Sequence, residues 1–438
     1  MKRLAGNAKE WLERIADWVQ QQQDIFYLSS CGQPDAGDLG DYELIVAQGI
    51  RNRYLLDNDH NCDVDWPEIQ AFCNRDTWTF FVLSYDLNRH LTTGLEQHQR
   101  DVLGWPLLYL VEPERVITVS KAGEVDVFAD DMERFLRELT EPAYGRGGDI
   151  LHITHGQSYD SMSRREHYDK IVDIKEQIAC GSFYEINLCV ETVIEDIVIS
   201  NPFALHQRLL ALSPTPFSSY VQLGDMHLLS ASPERFLKKK GRRIASQPIK
   251  GTSARYASRA EDEASKQYLS QSLKERAEHV MIVDLMRNDL GRLCETGSIS
   301  VPELCGIYGY RQVYHMISTI TGECRENTDF TDVLRATFPM GSMTGAPKHI
   351  VMQYIEQIEG ASRGWFSGSV GYIKPNGDFD SNVVIRSVFY DAGQCKAKYS
   401  VGGAITFDSD PDAEYNECLL KSSAIRHLLY RNKHSMSA

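Results

Sequence analysis

The sequence predicts an α+β fold. Three observations support this. Short apolar runs of strand length recur along the chain, longer segments show helical spacing, and the two mix without the regular strand–helix–strand alternation of a doubly wound sheet. At 438 residues the chain is long enough for two or three ordinary domains or one large intertwined one.

The elements follow in chain order. Trp11, Ile15, Trp18 and Val19 fall at helical spacing on a charged segment, which predicts an amphipathic surface helix and not a signal peptide. Tyr42–Ala47 and Thr79–Leu83 read as strands. The polar stretch Glu141-Pro142-Ala143-Tyr144-Gly145-Arg146-Gly147-Gly148-Asp149 predicts a subdomain boundary. Beyond it, Tyr168–Cys180 reads as a helix stopped by Gly181-Ser182, and Phe183–Thr192 as a strand. Ser258 with Glu261 three residues later suggests a capping box, opening one long polar helix that ends near Leu290. Ser367–Ile373, Val383–Tyr390 and Lys398–Phe407 read as strands. Asp410-Pro411 reads as an N-cap with proline at the first helical position, opening a final helix to Tyr430.

Composition narrows the function. A net charge of −15 argues against nucleic acid or an anionic membrane as partner, because both are polyanions. No apolar run approaches the ~20 residues that span a bilayer. Ten cysteines, scattered from Cys31 to Cys418 with no Cys-x-x-Cys, suggest free thiols in a reducing, cytoplasmic compartment. Nothing supports zinc.

The chemistry centres on Lys250, in Gln247-Pro248-Ile249-Lys250-Gly251-Thr252. A lysine at the end of a strand is either a solvated loop charge or a desolvated amine whose lowered pKa frees the lone pair for attack on carbon. Glu234 precedes it by one hairpin's length and is either its ion-pair partner or a proton donor beside a nucleophile. Glu275 with Glu278, and Glu414 with Glu417, share helix faces, and Lys421 joins the second face one turn later. Brought together, such pairs make an all-oxygen site suited to Mg²⁺. Glu356 and Glu359 form a third pair, and with 61 acidic residues about eight such pairs arise by chance. Gly341–Lys348 lacks the spacing of a phosphate loop and reads as a turn feeding a helix, with Pro347 in its first turn. Gly402-Gly403 ends or interrupts a strand, as a bulge or as bare backbone open to a ligand. Arg386 is a charge within an apolar strand and requires an anion if buried. His315, in apolar surroundings, is a hydrogen-bonded core residue or a catalyst.

In order and spacing these segments resemble the chorismate-utilising enzymes over residues 160–430. The matching strings are Ser232-Pro233-Glu234-Arg235-Phe236, Pro248-Ile249-Lys250-Gly251-Thr252, Ala277-Glu278-His279 through Val283-Asp284-Leu285-Met286-Arg287-Asn288-Asp289, Thr344-Gly345-Ala346-Pro347-Lys348, Ile385-Arg386-Ser387, Gly402-Gly403-Ala404 and Glu414-Tyr415-Asn416-Glu417. The set is specific, although no single member is. The resemblance implies an anthranilate synthase component I-like fold: two antiparallel sheets packed as a sandwich, helices outside. An N-terminal subdomain over 1–150 would interlace with a chorismate-binding catalytic domain over 155–432.

The resemblance also implies roles. Glu278 and Glu417 would hold Mg²⁺, with Glu275 and Glu414 supporting it through water. Gly251, Thr252, Arg386, Gly402, Gly403 and Lys421 would hold the substrate carboxylates and the metal site, and Thr344 and His315 would line the pocket. Within the family, the branch that aminates chorismate at C4, toward p-aminobenzoate and folate, carries lysine where Lys250 stands. The anthranilate synthase large subunit carries alanine there. Isochorismate and salicylate synthases instead place a lysine base on the strand that here reads Tyr184-Glu185-Ile186-Asn187-Leu188. A glutamine amidotransferase partner in a heterodimer would supply ammonia, and free ammonia would support some activity. Tryptophan is a further expected ligand, with Leu28-Ser29-Ser30 at its pocket's rim. The rivals are an anthranilate synthase large subunit and a non-catalytic homologue that binds tryptophan or a partner.

Overall fold

The computed structural model describes residues 1–58, 64–92, 94–95, 101–140 and 151–430. Among these, two large sheets, twelve- and ten-stranded, form a sandwich, and every strand pairing within them is antiparallel. Both sheets draw strands from both ends of the chain. The first runs from Lys2–Leu4 through Ile25–Ser29, Phe217–Leu223, Met226–Ser232, Ser387–Asp391 and Lys396–Ile405 to Glu185–Ile194 and Ser158–Asp160. The second runs from Ile249–Ala254 through Val313–Glu323, Arg243–Gln247, Arg235–Lys240 and Phe379–Asn382 to Thr79–Leu83 and Asn52–Leu56.

The strand sequences explain this layering. Along Ile25–Ser29 side chains alternate faces. Phe26 enters the core between the sheets, while Ile25 and Tyr27 point into a second core beneath helices. Along Tyr42–Gln48, Ile45 and Ala47 take the inner core and Leu44 and Val46 the outer one. Such strands read as continuous apolar runs because both faces are covered. Helix Ala8–Val19 caps the outer core with Trp11, Ile15, Trp18 and Val19, as its spacing requires.

Several boundaries differ from the sequence reading. The helix expected over Tyr168–Cys180 starts earlier, at Arg164, because Ser163 and Glu166 form a capping box. The single long helix after Ser258 is two helices, Arg259–Gln271 and Leu273–Gly291. Ser258 makes no side-chain cap; Ser272 does, accepting from the Glu275 N–H and starting a new helix. The last helix likewise breaks at Ser422, into Pro411–Lys421 and Ser423–Tyr430, while Asp410 caps the first as expected. Pro347 is the N-cap of Lys348–Ile358, one position before its first turn. The stretch Glu141–Asp149 lies outside the described residues. The nine described cysteines are all free thiols. No helix among the described residues is long and apolar enough to cross a membrane.

Arg235 stitches the sandwich at the first residue of its strand. Its side chain is 1% exposed. It donates to Asp35 at 2.9 Å and, through two nitrogens, to Asp380 at 2.9 and 3.1 Å. Replacing it with methionine strands two carboxylates, so R235M should lose about 3–5 kcal/mol in urea unfolding. A loss below about 1 kcal/mol would show that Lys121 and Lys238, the other cations at Asp35 and Asp380, already satisfy them.

Candidate active site

Two chain segments leave one sheet and enter the other side by side. Ser232 ends a strand of the first sheet and Arg235 begins one of the second. Asn382 ends a strand of the second and Ser387 begins one of the first. The Val383 N–H donates to the Glu234 carbonyl at 3.0 Å, and the Ala231 N–H to the Arg386 carbonyl at 3.2 Å. The Ser232 hydroxyl donates to the Val383 carbonyl at 2.6 Å and accepts from the Glu234 N–H at 3.2 Å. Glu234 and Arg386 therefore sit on paired crossovers. Arg386 was expected inside a strand; it lies instead in this link, at φ 52°. Its sequence Val383-Val384-Ile385 is apolar because the link passes through the core, where Val383 and Val384 are fully buried.

Lys250 was expected at the end of a strand. It lies within Ile249–Ala254, at a register shift between Ile249 and Thr252 against Val313–Glu323. Lys250 and Gly251 are the bulge residues, and a bulge re-aims side chains. Gly251 has φ 79°, and a Cβ there would lie 2.9 Å from a Glu275 carboxylate oxygen. Only glycine lets this strand approach the helix so closely.

The Lys250 side chain is 11% exposed, and its amine lies 2.6 Å from Oε1 of Glu185, whose side chain is 1% exposed. Burial opposes the charge on Lys250, but Glu185, Glu278 and Glu234 outweigh it and hold its pKa above the ordinary lysine value. The sequence left the resting protonation of Lys250 open; the resting site holds an ammonium. Glu234 behaves oppositely. Burial pushes its carboxyl up to about 7, against the Ser342 hydroxyl that donates to it at 2.6 Å and the nearby Lys250. At neutral pH a substantial share of Glu234 carries a proton it can give away.

The two carboxylate pairs meet. Lys274 lies 3.8 Å from Glu278 and 4.0 Å from Glu414, bridging helices Leu273–Gly291 and Pro411–Lys421. Burial raises Glu278 to about 7, and it also raises Glu275 and Glu414. Glu417 is held down by Lys421 at 2.8 Å, despite burial. Lys421 also donates to the Gly402 carbonyl at 2.9 Å. Gly402 and Gly403 neither end nor bulge their strand; they pair with Cys189 and Leu188 in unbroken register. Their lack of side chains serves packing. A Cβ at Gly402 would lie 2.6 Å from the Cys189 sulfur, and one at Gly403 3.3 Å from Glu414.

His315 joins Thr252, at 2.9 Å through Nδ1, to Arg386, at 3.3 Å through Nε2. Arginine can only donate, so Nε2 accepts and the proton sits on Nδ1. Burial and Arg386 keep the imidazole neutral. The Thr344 hydroxyl is bound to the carbonyls of Met340 and Gly341, and its neighbour Ser342 is the residue that touches Glu234. Glu356 and Glu359 lie apart, paired with Arg89 and Arg363. The sequence reading missed Glu185, Ser342 and Lys274. Lys274 was visible as the i,i+4 partner of Glu278, and Glu185 as a carboxylate at the start of a largely apolar strand; Ser342 gave no signal.

Residues 59–427 match the family model described as chorismate binding enzyme. The chain belongs to this family. Aminodeoxychorismate synthase component 1 of Bacillus subtilis is 38% identical over 256 residues, 58% of this chain and 54% of that protein. Anthranilate synthase component 1 of Lactococcus lactis is 30% identical over 345 residues, 76% of this chain and 75% of that protein. The aminodeoxychorismate synthase of Streptomyces griseus is 40% identical over 60% of this chain but only 36% of its own length. The chain thus spans little more than half, or less, of these aminodeoxychorismate synthases. Anthranilate synthase component I from Streptococcus pneumoniae superposes with a TM-score of 0.78 at 24% identity, covering 89% of this chain and 93% of that one. This confirms the expected fold.

Glu234 also makes stability depend on pH. Its folded pKa, about 7, exceeds the ordinary 4.5. Its contribution is therefore complete below pH 4.5 and lost as pH rises through 7, because the unfolded state ionises first. E234Q should flatten the fall in unfolding free energy between pH 4.5 and 7. An unchanged slope would place the Glu234 carboxyl in a solvated setting.

Proposed function

We propose that this chain is the chorismate-aminating subunit of an aminodeoxychorismate synthase. The observation that carries this reading is a buried lysine amine in contact with Glu185, within a site that also holds the buried carboxyl of Glu234 and the two glutamate pairs around Lys274. Lysine at 250 favours amination at C4 over the anthranilate synthase reaction, whose enzymes carry alanine there.

The residues present fit Mg²⁺. Glu185, Glu234, Glu275, Glu278, Glu414 and Glu417 outnumber Lys250, Lys274, Lys421 and Arg386, and burial with mutual repulsion raises several of the carboxyls. A hard cation of this kind is held by one or two carboxylates, water and substrate oxygens. Glu278 and Glu417 would hold it directly, with Glu275 and Glu414 supporting it through water. Bound there, Mg²⁺ would neutralise the ring carboxylate of chorismate and ease attack at C2.

The chain's own groups supply the rest. Lys250 attacks C2, the C1–C2 π electrons move to C1–C6, and the C5–C6 π electrons move to C4–C5. The C4 hydroxyl leaves as water, taking its proton from Glu234. Ammonia then adds at C4, both double bonds return, and Lys250 is expelled. The Thr252–His315–Arg386 chain would bind a substrate carboxylate, with Arg386 as its cation. Ammonia comes from a glutaminase partner, and the enolpyruvyl ether is retained.

Tryptophan is assigned to a separate cavity of 70 Å³ between the sheets, lined by Leu28, Ser29, Ser30, Tyr42 and Arg235. A cavity of about 150 Å³ accommodates benzene, so the lining must open to admit an indole.

With chorismate, Mg²⁺ and ammonium, the product should be 4-amino-4-deoxychorismate, without pyruvate release. Anthranilate with equimolar pyruvate would assign the chain to the other branch. K250A should lower product formation by at least about 100-fold, the scale of losing a nucleophile. No turnover and no Mg²⁺-dependent chorismate binding in calorimetry would mark a non-catalytic homologue.

A further inference from the structure

The proposed chemistry leaves one step without an agent. Lys250 rests as an ammonium, and an ammonium has no lone pair to attack with. Glu234 cannot remove that proton, because its task is to deliver one to the leaving hydroxyl. Glu275, Glu278 and Glu414 gather around Lys274 and the cation site.

We infer that Glu185 is the base that takes the ammonium proton of Lys250, so that the nucleophile is generated within the ion pair as chorismate binds. This rests on the proposed function above. Among the described residues, Glu185 is the carboxylate in ion-pair contact with Lys250, at 2.6 Å. That is within direct proton-transfer reach. Its second oxygen, Oε2, is buried and has no hydrogen-bond partner among the described residues.

The backbone holds Glu185 firmly. It is the first residue of Glu185–Ile194, which runs beside Lys396–Ile405 from Ile186 onward. On its other edge Glu185 pairs with Ala346 and Ile186 with Gly345. A Cβ at Gly345 would lie 2.0 Å from the Glu185 carbonyl oxygen, so this contact is clamped shut. Lys250 is fixed from the opposite side by its bulge. The two side chains therefore reach toward one another from different sheets.

The step balances. The proton leaves Nζ for a Glu185 oxygen, and the freed lone pair forms the N–C2 bond. The C1–C2 π electrons move to C1–C6, the C5–C6 π electrons move to C4–C5, and the C4–O bond breaks as Glu234 protonates the departing hydroxyl. When ammonia adds at C4, the C2–N bond breaks, Lys250 recovers its proton from Glu185, and the new C4 ammonium returns one to Glu234. Chorismate and ammonia become 4-amino-4-deoxychorismate and water, and both carboxyls are reset.

The test is rapid-quench mass spectrometry of the covalent adduct formed from chorismate and Mg²⁺ without ammonia, across pH 6–10, in wild type, E185Q and E185D. Chorismate affinity is measured in parallel by calorimetry. Glutamine keeps the shape and an acceptor oxygen but cannot take a proton. E185Q should form adduct about 10²–10⁴-fold more slowly at neutral pH, with chorismate affinity changed less than about threefold. Its rate should rise about tenfold per pH unit as hydroxide replaces the missing base, and E185D should recover most of the loss. Wild-type adduct formation in E185Q, or a loss matched by equally lost affinity and no pH slope, would overturn the assignment. Absence of adduct in wild type would instead overturn the Lys250 reading beneath it.

Discussion

A buried amine must be paired, and this constraint organises the site. Lys250 enters the protein at a bulge, and Glu185 meets it at 2.6 Å from the other sheet. Either charge alone would be costly at that depth. Together they form a pair whose proton lies on the nitrogen at rest. Around it, burial acts selectively. It raises Glu234 and Glu278 to about 7, yet leaves Glu417 below its ordinary value because Lys421 lies beside it. One cluster of glutamates thus holds carboxyls raised by burial and a carboxyl lowered by its neighbour at once.

The architecture makes these positions possible. A single sheet presents side chains on only two faces. Here two crossovers run from sheet to sheet side by side, and Glu234 and Arg386 lie on them. The remaining groups arrive from the Ile249–Ala254 bulge and two helix faces. Glycines permit the approaches: Gly251 against Glu275, Gly345 against Glu185, Gly402 against Cys189. The short links Ser232–Arg235 and Asn382–Ser387 leave the crossovers little freedom, which is how a site receives fixed geometry.

Much of this was legible in the sequence. The strands Tyr42–Gln48 and Thr79–Leu83 and the helix Ala8–Val19 follow from apolar pattern alone. The i,i+3 glutamate pairs were found by helical spacing, which survives even though each parent helix is broken, because Ser272 and Ser422 interrupt outside the pairs. What failed was non-local. The bulge at Lys250, the left-handed φ of Arg386 and the unbroken register at Gly402 depend on partner strands that no local pattern names. The protonation of Lys250 was not legible for the same reason. Burial alone predicts a lowered pKa, but the sign was set by carboxylates 16, 28 and 65 residues away in sequence, at Glu234, Glu278 and Glu185.

The central claim is that Lys250 bonds covalently to the substrate ring. Peptide mapping of enzyme quenched with chorismate and Mg²⁺ tests it most directly. The account predicts a mass increase, equal to chorismate less water, confined to the peptide that carries Lys250 and absent from K250A. The same increase persisting in K250A, or mapped to another residue, would contradict it.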